Sequence, residues 1–296
     1  MENIIIRKIT SQEDESDTDI LSFAKSNITS LEKGGVSSNE IRIFNFGEKK
    51  YILKTPLMIG DNLSPFWLMM KNVFLFTFEK QNEHLKDLYT ILKDNPHISV
   101  APFVASNNEA MIYEYMQGDS WDEDEFPKGT DNAYRLGKYV GYNHQISHKN
   151  CGILGAEDVT DFYSGMLSHI EECINAHWNS EEPIDKKVRL YFENLKEKHF
   201  ASSKYSLMMV DMCADQFLYN GEDIVACVDL DAYVIGPVEW ELSFLKTQIE
   251  DWDSFKAGYE TYQSMPEFED SSKLFFFLMA LNAHWDKEEM ERILVE

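Results

Sequence analysis

The first third of the chain alternates between apolar and polar residues in the manner of short strands. Residues 41–46 and 51–54 form one such pair around a short turn, and residues 97–105 and 110–115 form another. Between the two pairs, residues 79–92 carry apolar side chains at three- and four-residue intervals, which is the spacing of one helix face. The pattern predicts a strand-rich N-terminal region that contains one long helix.

The periodicity after residue 118 is helical. An acidic stretch at residues 119–125 marks the change and predicts a boundary between an N-terminal lobe of residues 1–117 and a C-terminal lobe of residues 118–296. Helices are predicted over residues 132–148, 161–178, 186–197, 240–255, 258–264 and 273–285. The expected fold class is therefore α+β, with a small β-rich lobe and a larger, mostly helical lobe.

A very apolar segment at residues 66–78 interrupts the strand-rich region. The preceding Ser64-Pro65 is typical of a helix start, because Ser caps the first turn and Pro fits its first position. We expect an additional helix that packs against the small lobe, with a partner-facing surface as the alternative.

A hairpin in the helical region carries two acidic residues and an amide. Asn220-Gly221 between two apolar runs is a strong hairpin signal, because both residues tolerate positive φ. Asp211 precedes the first strand and Asp229 ends the second, so the hairpin brings both carboxylates to one edge. Together with the amide of Gln216, these oxygens suit a hard cation such as magnesium.

The spacing of these residues resembles the catalytic core of the aminoglycoside phosphotransferase and choline kinase-like superfamily, which is related to the protein kinases. The family motif has an Asp, an Asn five residues later and a second Asp thirteen residues beyond the Asn. Asp211, Gln216 and Asp229 occupy these positions without a gap, and Gly236 falls where a later Gly belongs.

Four residues of this stretch differ from the family motif. Met209 replaces its His, Val210 its Gly and Gln216 its Asn, while Glu241 replaces the Asp of a final Asp-Leu pair. The Gln bears most directly on chemistry, since its amide oxygen lies one methylene further out than that of Asn. A displacement of about 1 Å in a positioned group costs on the order of a hundredfold in rate.

The resemblance also implies a nucleotide site in the N-terminal region. Gly34-Gly35 is a predicted turn that stands loosely where the family has its nucleotide loop, and such a turn lets backbone N–H groups approach phosphates. Lys54 stands where the family places the lysine that contacts the α- and β-phosphates. Tyr113 and Tyr115 belong to a segment that resembles the last strand and the hinge, where the adenine meets the backbone.

In the family, the helix that follows this lysine carries a Glu that pairs with it. Glu79 and Glu83 are both candidates, and Glu83 is predicted to belong to the nucleotide site. The simplest register instead places Gln81 at this position.

The resemblance implies a phosphotransferase that uses ATP or GTP and magnesium to phosphorylate a hydroxyl group of a small molecule. Asp211 would accept or orient the proton of that hydroxyl, and Lys54 would neutralise phosphate charge. Gln216 and Asp229 would hold the metal. A second hypothesis is a catalytically degenerate kinase fold that binds a nucleotide or a protein partner. A third is an acidic helical interaction protein that uses the apolar segment.

The net charge and the cysteine content restrict the possible binding partners and the cellular compartment. The 296-residue chain has a formal net charge of −25, which repels nucleic acid and anionic membranes. Its four cysteines show no paired spacing and fit free thiols in a reducing cytoplasm. The first ten residues hold too short an apolar run for a secretion signal, and residues 274–281 fall far short of the ~20 residues of a membrane span.

Acidic residues near the hairpin bear on the acceptor. The stretch at residues 119–125 and the carboxylates of Asp231, Glu239 and Glu241 leave room for an amine-bearing acceptor. Aminoglycosides, choline and amino alcohols are acceptors of this kind, and these residues do not distinguish between them.

Overall fold

The computed structural model describes residues 5–6, 16–27, 32–36, 39–57, 63–107, 109–121, 123, 125–129, 131–155, 158–159, 161–202, 204–282 and 287–295. The strands are β1 (Ile5–Ile6), β2 (Glu32–Val36), β3 (Asn39–Phe46), β4 (Lys49–Pro56), β5 (Ser99–Val100), β6 (Phe103–Ser106), β7 (Met111–Glu114), β8 (Ser147–His148), β9 (Cys151–Gly152), β10 (Asp158–Val159), β11 (Tyr205–Met209), β12 (Phe217–Asn220), β13 (Asp223–Cys227) and β14 (Tyr233–Pro237). The helices are α1 (Ser16–Asn27), α2 (Pro65–Phe74), α3 (Phe78–Leu92), α4 (Asn132–Asn143), α5 (Phe162–His177), α6 (Pro183–Lys196), α7 (Val238–Gln248), α8 (Trp252–Tyr259), α9 (Glu269–Asn282) and α10 (Lys287–Val295). The class is α+β, as expected.

The N-terminal region is built on an antiparallel sheet in the order β1-β6-β7-β4-β3-β2. Its central strand is β4, which pairs with β3 on one side and with β7 on the other. Helix α1 covers the sheet through Ile20, Leu21 and Ala24, which pack with Phe44 and Tyr51. Leu53 of β4 belongs to this cluster, so Lys54, the next residue of the strand, faces the opposite side of the sheet, where it is also buried.

Two strand predictions in this region are corrected. The single strand predicted over residues 97–105 is two strands, because Pro102 has no N–H with which to continue a ladder. Its first part, β5, pairs with β13 of the hairpin instead of with the large sheet. Gly34 and Gly35 lie within β2, where the register with β3 is irregular between Lys33 and Val36, and not in a turn.

The apolar segment forms α2, as predicted, but it packs elsewhere. Ser64 Oγ accepts a hydrogen bond from the Trp67 N–H at 3.4 Å and caps the helix. The ring of Phe74 lies 5.4 Å from that of Phe162 on α5 and 5.7 Å from that of Trp240 on α7, measured between centroids. The helix is thus part of the core of the helical region and not an addition to the sheet or an exposed partner surface.

Helix boundaries in the C-terminal region differ from those predicted. The helix predicted over residues 240–255 is interrupted after Gln248, and Asp251 starts α8 by accepting a hydrogen bond from the Ser254 N–H at 3.1 Å. Of the helix predicted over residues 258–264, only the first two residues are helical, as the end of α8. Helix α9 begins at Glu269, earlier than predicted, and residues 283–286 lie outside the described ranges.

A small sheet in the order β10-β9-β14-β11-β8 lies within the helical region. Strands β11 and β14 form its centre, in the register Leu207 to Ile235 and Met209 to Tyr233. Because only Val210 separates Asp211 from the end of β11, this sheet sets the position of the loop that carries Asp211.

Other features agree with the composition of the chain. All four cysteines are free thiols. Among the described residues, no helix has both the length and the apolar character that a bilayer crossing requires.

Helices α4 and α8 cross at very short range because both carry glycine at the contact. A Cβ added to Gly137 would overlap the carbonyl oxygen of Phe255, and one added to Gly258 would overlap that of Tyr134. Gly141 faces the carbonyl oxygen of Tyr259, to which an added Cβ would lie 2.7 Å. Backbone therefore packs against backbone along this pair, which leaves no room for a side chain.

We expect Gly137→Ala to destabilise the fold by about 1–3 kcal/mol, since the methyl group would force the two helices apart. Gly165→Ala is the matched control, because this residue also lies in a helix and a Cβ there would meet no atom within 4 Å. The control should be neutral or more stable by about 0.5–1 kcal/mol through better helix propensity. Urea unfolding of both variants measures the difference, and equal stabilities would contradict the packing argument.

Candidate functional site

The predicted hairpin is formed by β12 and β13, with Gly221 at φ +63° in its turn. Asp211 lies just before it, after β11, and Asp229 lies two residues after Cys227, the last residue of β13. The Val228 N–H donates to the Gln216 carbonyl oxygen at 3.0 Å, which ties the segment before Asp229 to the segment after Asp211. The hairpin therefore places Gln216 beside the segment that leads to Asp229, and Asp229 is close enough to Asp211 to affect its charge.

Lys54 reaches this hairpin from the sheet. Its Nζ lies 3.0 Å from Asp229 Oδ1 and 3.8 Å from Asp231 Oδ2, and its side chain is only 7% exposed. Burial by itself would lower the pKa of Lys54, but the charges of Asp229 and Asp231 outweigh it and hold the pKa above its ordinary value. Lys54 is therefore a permanent cation at the centre of the site.

Asp211 is partly buried beside this group. Burial, followed by the negative charge of Asp229, raises the pKa of Asp211 to about 7. A carboxyl group with such a pKa exchanges its proton near neutral pH, which is the property required of a general base or of a group that orients a hydroxyl proton.

The loop before Asp211 is braced through its backbone. The Met209 N–H donates to Glu241 Oε1 at 2.8 Å, and Trp240 Nε1 donates to the Val210 carbonyl oxygen at 3.0 Å. Glu241 Oε2 in turn lies 2.8 Å from His144 Nε2. Glu241, which stands where the family has the Asp of its final Asp-Leu pair, thus anchors the loop. The side chain of Met209 is buried in the core.

Gln216 ends a 3₁₀ turn, Ala214–Gln216, between Asp211 and β12. Its Nε2 donates to Cys213 Sγ at 3.6 Å, which leaves the amide oxygen as the group with which it can bind a cation. The carboxylate of Asp229 is 35% exposed and supplies a second oxygen donor.

These donors fit magnesium better than a metal held entirely by protein. Among the described residues, no group of three or more His, Cys, Asp or Glu side chains is arranged to hold a metal ion. Magnesium is usually bound through one or two carboxylates together with water and substrate phosphates. One carboxylate and one amide oxygen near the buried lysine form such a partial set.

A cavity of about 110 Å³ lies between the sheet and the hairpin, next to Lys54. Tyr113 and Tyr115 both line it, together with Met116 and Gly118 of the following segment. Tyr113 is buried with its ring centroid 5.8 Å from Lys54 Nζ. The Tyr115 N–H is already bonded to the sheet, since it donates to the Lys50 carbonyl oxygen at 2.9 Å.

The segment after this cavity is fixed to the hairpin. Asp119 and Tyr219 exchange two backbone hydrogen bonds, both 2.9 Å long. Gly118 has φ +155°, and a Cβ there would lie 2.7 Å from Leu218 Cβ, so only glycine fits this approach. The start of the acidic stretch is therefore anchored beside the cavity.

The remaining nucleotide-site predictions have mixed outcomes. Gly34 and Gly35 are placed in β2, as described above, and their approach to phosphate stays a prediction. Glu79 and Glu83 lie on α3, but their side chains are outside the described residues. Gln81 is buried on the same helix, and neither atom of its amide has a hydrogen-bond partner among the described residues.

The sequence did not reveal Asn39 as a member of this site, and it indicated Asp231 only as one of the carboxylates near a possible acceptor and not as a partner of Lys54. Asn39 Nδ2 donates to Asp231 Oδ2 at 2.8 Å, across 192 residues of sequence. The Asp-Leu-Asp run at residues 229–231 was a visible signal for Asp231, whereas nothing local distinguishes Asn39.

The expectation that three carboxylates leave room for an amine-bearing acceptor is corrected. Asp231, Glu239 and Glu241 are each no more than 3% exposed. Asp231 bonds to Asn39, Glu239 Oε2 accepts from Ser202 Oγ at 2.5 Å, and Glu241 binds the Met209 N–H. These charges are used inside the protein and are not presented to a ligand.

Comparison with known proteins gives structural matches only. No protein-family model and no curated protein matches the chain. A macrolide 2′-phosphotransferase from Brachybacterium faecium matches with 13% identity and a TM-score of 0.56, covering 95% of this chain and 97% of its own. The streptomycin–ATP ternary complex of APH(2″)-IIa matches with 14% identity and a TM-score of 0.59, covering 97% and 96%. The choline kinase LicA from Streptococcus pneumoniae matches with 11% identity and a TM-score of 0.51, covering 94% and 91%.

The chain therefore has the protein-kinase-like fold of the aminoglycoside phosphotransferases and choline kinases. This confirms the fold that the hairpin spacing implied. At these identities the likeness extends to the fold alone.

The raised pKa of Asp211 predicts how stability changes with pH. The pKa in the folded protein is about 7, above the value of about 3.9 in an unfolded chain. Protonated Asp211 therefore stabilises the fold at low pH, and this contribution is lost as pH rises through the folded value.

Asp211→Asn has no proton to lose, so we expect its stability relative to the wild type to increase from about pH 4 to about pH 7. Thermal unfolding of both proteins across this range, in the presence of a chelator, measures the effect. A difference that does not change with pH would show that Asp211 titrates normally. Asp223→Asn, an exposed change on β13, should give no such trend.

Proposed function

We propose that the protein is a phosphotransferase that moves the γ-phosphate of ATP or GTP to a hydroxyl group of a small molecule. The observation that carries the proposal is the convergence of Lys54, Asp211 and Asp229 beside a cavity between sheet and hairpin. Phosphoryl transfer depends mainly on positioning and on charge neutralisation, and these three groups are of the types required.

The nucleotide would occupy the space between the sheet and the hairpin. Its base would occupy the cavity lined by Tyr113, Tyr115 and Met116, and its phosphates would meet Lys54. Asp229 and Gln216 would hold magnesium, which supplies neutralisation of phosphate charge. In this proposal residues 1–117 form the nucleotide-binding lobe, and residues 118–296 form the lobe with the hairpin and the acceptor site.

The acceptor hydroxyl would bind against Asp211. With a pKa of about 7, its carboxylate can accept or orient the hydroxyl proton at neutral pH. Proteins of this fold include enzymes whose names specify macrolides and choline, which are hydroxyl-bearing small molecules. We propose an acceptor of that general kind, and a reducing, cytoplasmic environment in view of the free thiols.

A second candidate function is nucleotide binding without transfer. Two side chains favour it: Gln216 at the position of the motif Asn, and Gln81 on the helix where a carboxylate was expected. The braced loop before Asp211 favours the enzyme, because its backbone is held by Glu241 and Trp240 despite the altered motif.

We expect ATP with magnesium to raise the melting temperature of the protein. A ligand at ~100 times its dissociation constant adds about 2.7 kcal/mol of stability. Asp229→Ala should reduce this shift, because it removes a metal ligand, whereas Asp211→Asn should preserve the shift and abolish turnover. Asp223→Asn removes one hairpin charge away from the site and serves as the control. If neither thermal shift nor calorimetry detects nucleotide binding, both candidate functions are wrong.

Substitutions of Gln216 distinguish the two candidate functions, phosphotransfer and nucleotide binding without transfer. If its amide oxygen reaches magnesium, Gln216→Asn should slow turnover by about a hundredfold, because the shorter side chain no longer reaches. Gln216→Ala should be at least as slow. Single-turnover hydrolysis of ATP across a magnesium titration measures both. A wild-type rate no higher than that of Asp211→Asn, with ATP still bound, would leave only the binding function.

A further inference from the structure

Lys54 is a buried cation, and a buried charge requires a partner. In the family that the sequence resembles, the partner of this lysine is a carboxylate on the helix that follows the lysine's strand. Gln81 is the inward-facing residue of α3 at this register, and it is 1% exposed. Its amide makes no hydrogen bond with a described residue, so α3 supplies no charge through this position.

Among the described side chains, the carboxylates that contact Lys54 come from the loop after β13. Of the two, Asp231 is the more deeply buried, with a side-chain exposure of 4% against 35% for Asp229. Asp231 Oδ2 lies 3.8 Å from Lys54 Nζ and accepts a hydrogen bond from Asn39 Nδ2 at 2.8 Å. Its carboxylate thus contacts β3 and β4 of the sheet while its backbone belongs to the hairpin loop.

The two carboxylates differ in what they can do when a cation is bound. Asp229 is exposed enough to serve as a metal ligand, and its charge would then be shared with the metal. Asp231 is enclosed by Asn39 and Lys54 and would keep its contacts in both states. Lys54 therefore retains a fixed partner whether or not the metal is present.

We propose that Asp231, held in place by Asn39, is the positioning residue for Lys54. The position of Lys54 is then set from the hairpin loop. The inference rests on the proposed function only in giving Lys54 its role toward phosphate.

The first test needs neither nucleotide nor metal. Thermal unfolding of Lys54→Met, Asp231→Asn and the double variant, in a chelator, forms a double-mutant cycle. The double variant should lower the melting temperature by about 3 °C less than the sum of the decreases caused by the two single variants. Asn39→Ala keeps both charges and should reduce this coupling. Additive effects would overturn the proposal.

Gln81→Met is the matched helix variant, because Met has nearly the shape of Gln without its polar atoms. It should unfold at the same temperature as the wild type or higher, since it removes two buried polar atoms that have no hydrogen-bond partner among the described residues. It should also show no coupling to Lys54→Met. Coupling of Gln81 to Lys54 comparable with that of Asp231 would assign the positioning role to the helix.

The second test measures the affinity for ADP by calorimetry at low and at saturating magnesium. Asp231→Asn should bind about tenfold more weakly at both concentrations, whereas Gln81→Met should bind as the wild type does. Recovery of affinity at saturating magnesium would show that Asp231 is a metal ligand instead and would overturn the proposal. If the wild type itself does not bind ADP, the proposed function fails, and the metal-free cycle still decides the role of Asp231.

Discussion

The arrangement of the site depends on the burial of one cation between two parts of the chain. Lys54 stands on the central strand of the sheet, and both of its carboxylates come from the loop after the hairpin. Removing one partner of a buried ion pair strongly destabilises the folded protein, because the other charge then remains buried without compensation. The ion pairs therefore hold the sheet at a fixed distance from the hairpin and enclose the cavity between them.

The same constraint gives Asp211 its chemical character. Asp229 and Asp231 share one lysine, and Asp211 lies close enough to Asp229 to be affected by its charge, so the three carboxylates keep an excess of negative charge. Burial and this excess raise the pKa of Asp211 to about 7 and that of Asp231 to about 6. A site of this kind favours a divalent cation, and it retains a carboxyl group that can exchange a proton at neutral pH.

The departures from the family motif fall into two physical classes. At Met209 and Val210 the loop is held in place through backbone hydrogen bonds to the side chains of Glu241 and Trp240. The side chains at these two positions can therefore differ from those of the family motif. At Gln216 the side-chain oxygen itself would meet the metal, so one additional methylene changes the geometry. If the proposed function holds, activity would therefore depend more on Gln216 than on the residues at the start of the motif.

The sequence alone predicted the features that follow from local periodicity and spacing: the strand-rich and helical regions, the hairpin, and the convergence of Asp211, Gln216 and Asp229. The tertiary structure decided which distant segments meet. It placed α2 in the core of the helical region, although the residues before and after it in sequence belong to the sheet region. It also gave Lys54 the partners Asp231 and, through it, Asn39, 192 residues away. An apolar period shows that a residue is buried, but the partner of a buried charge depends on the packing of the whole chain.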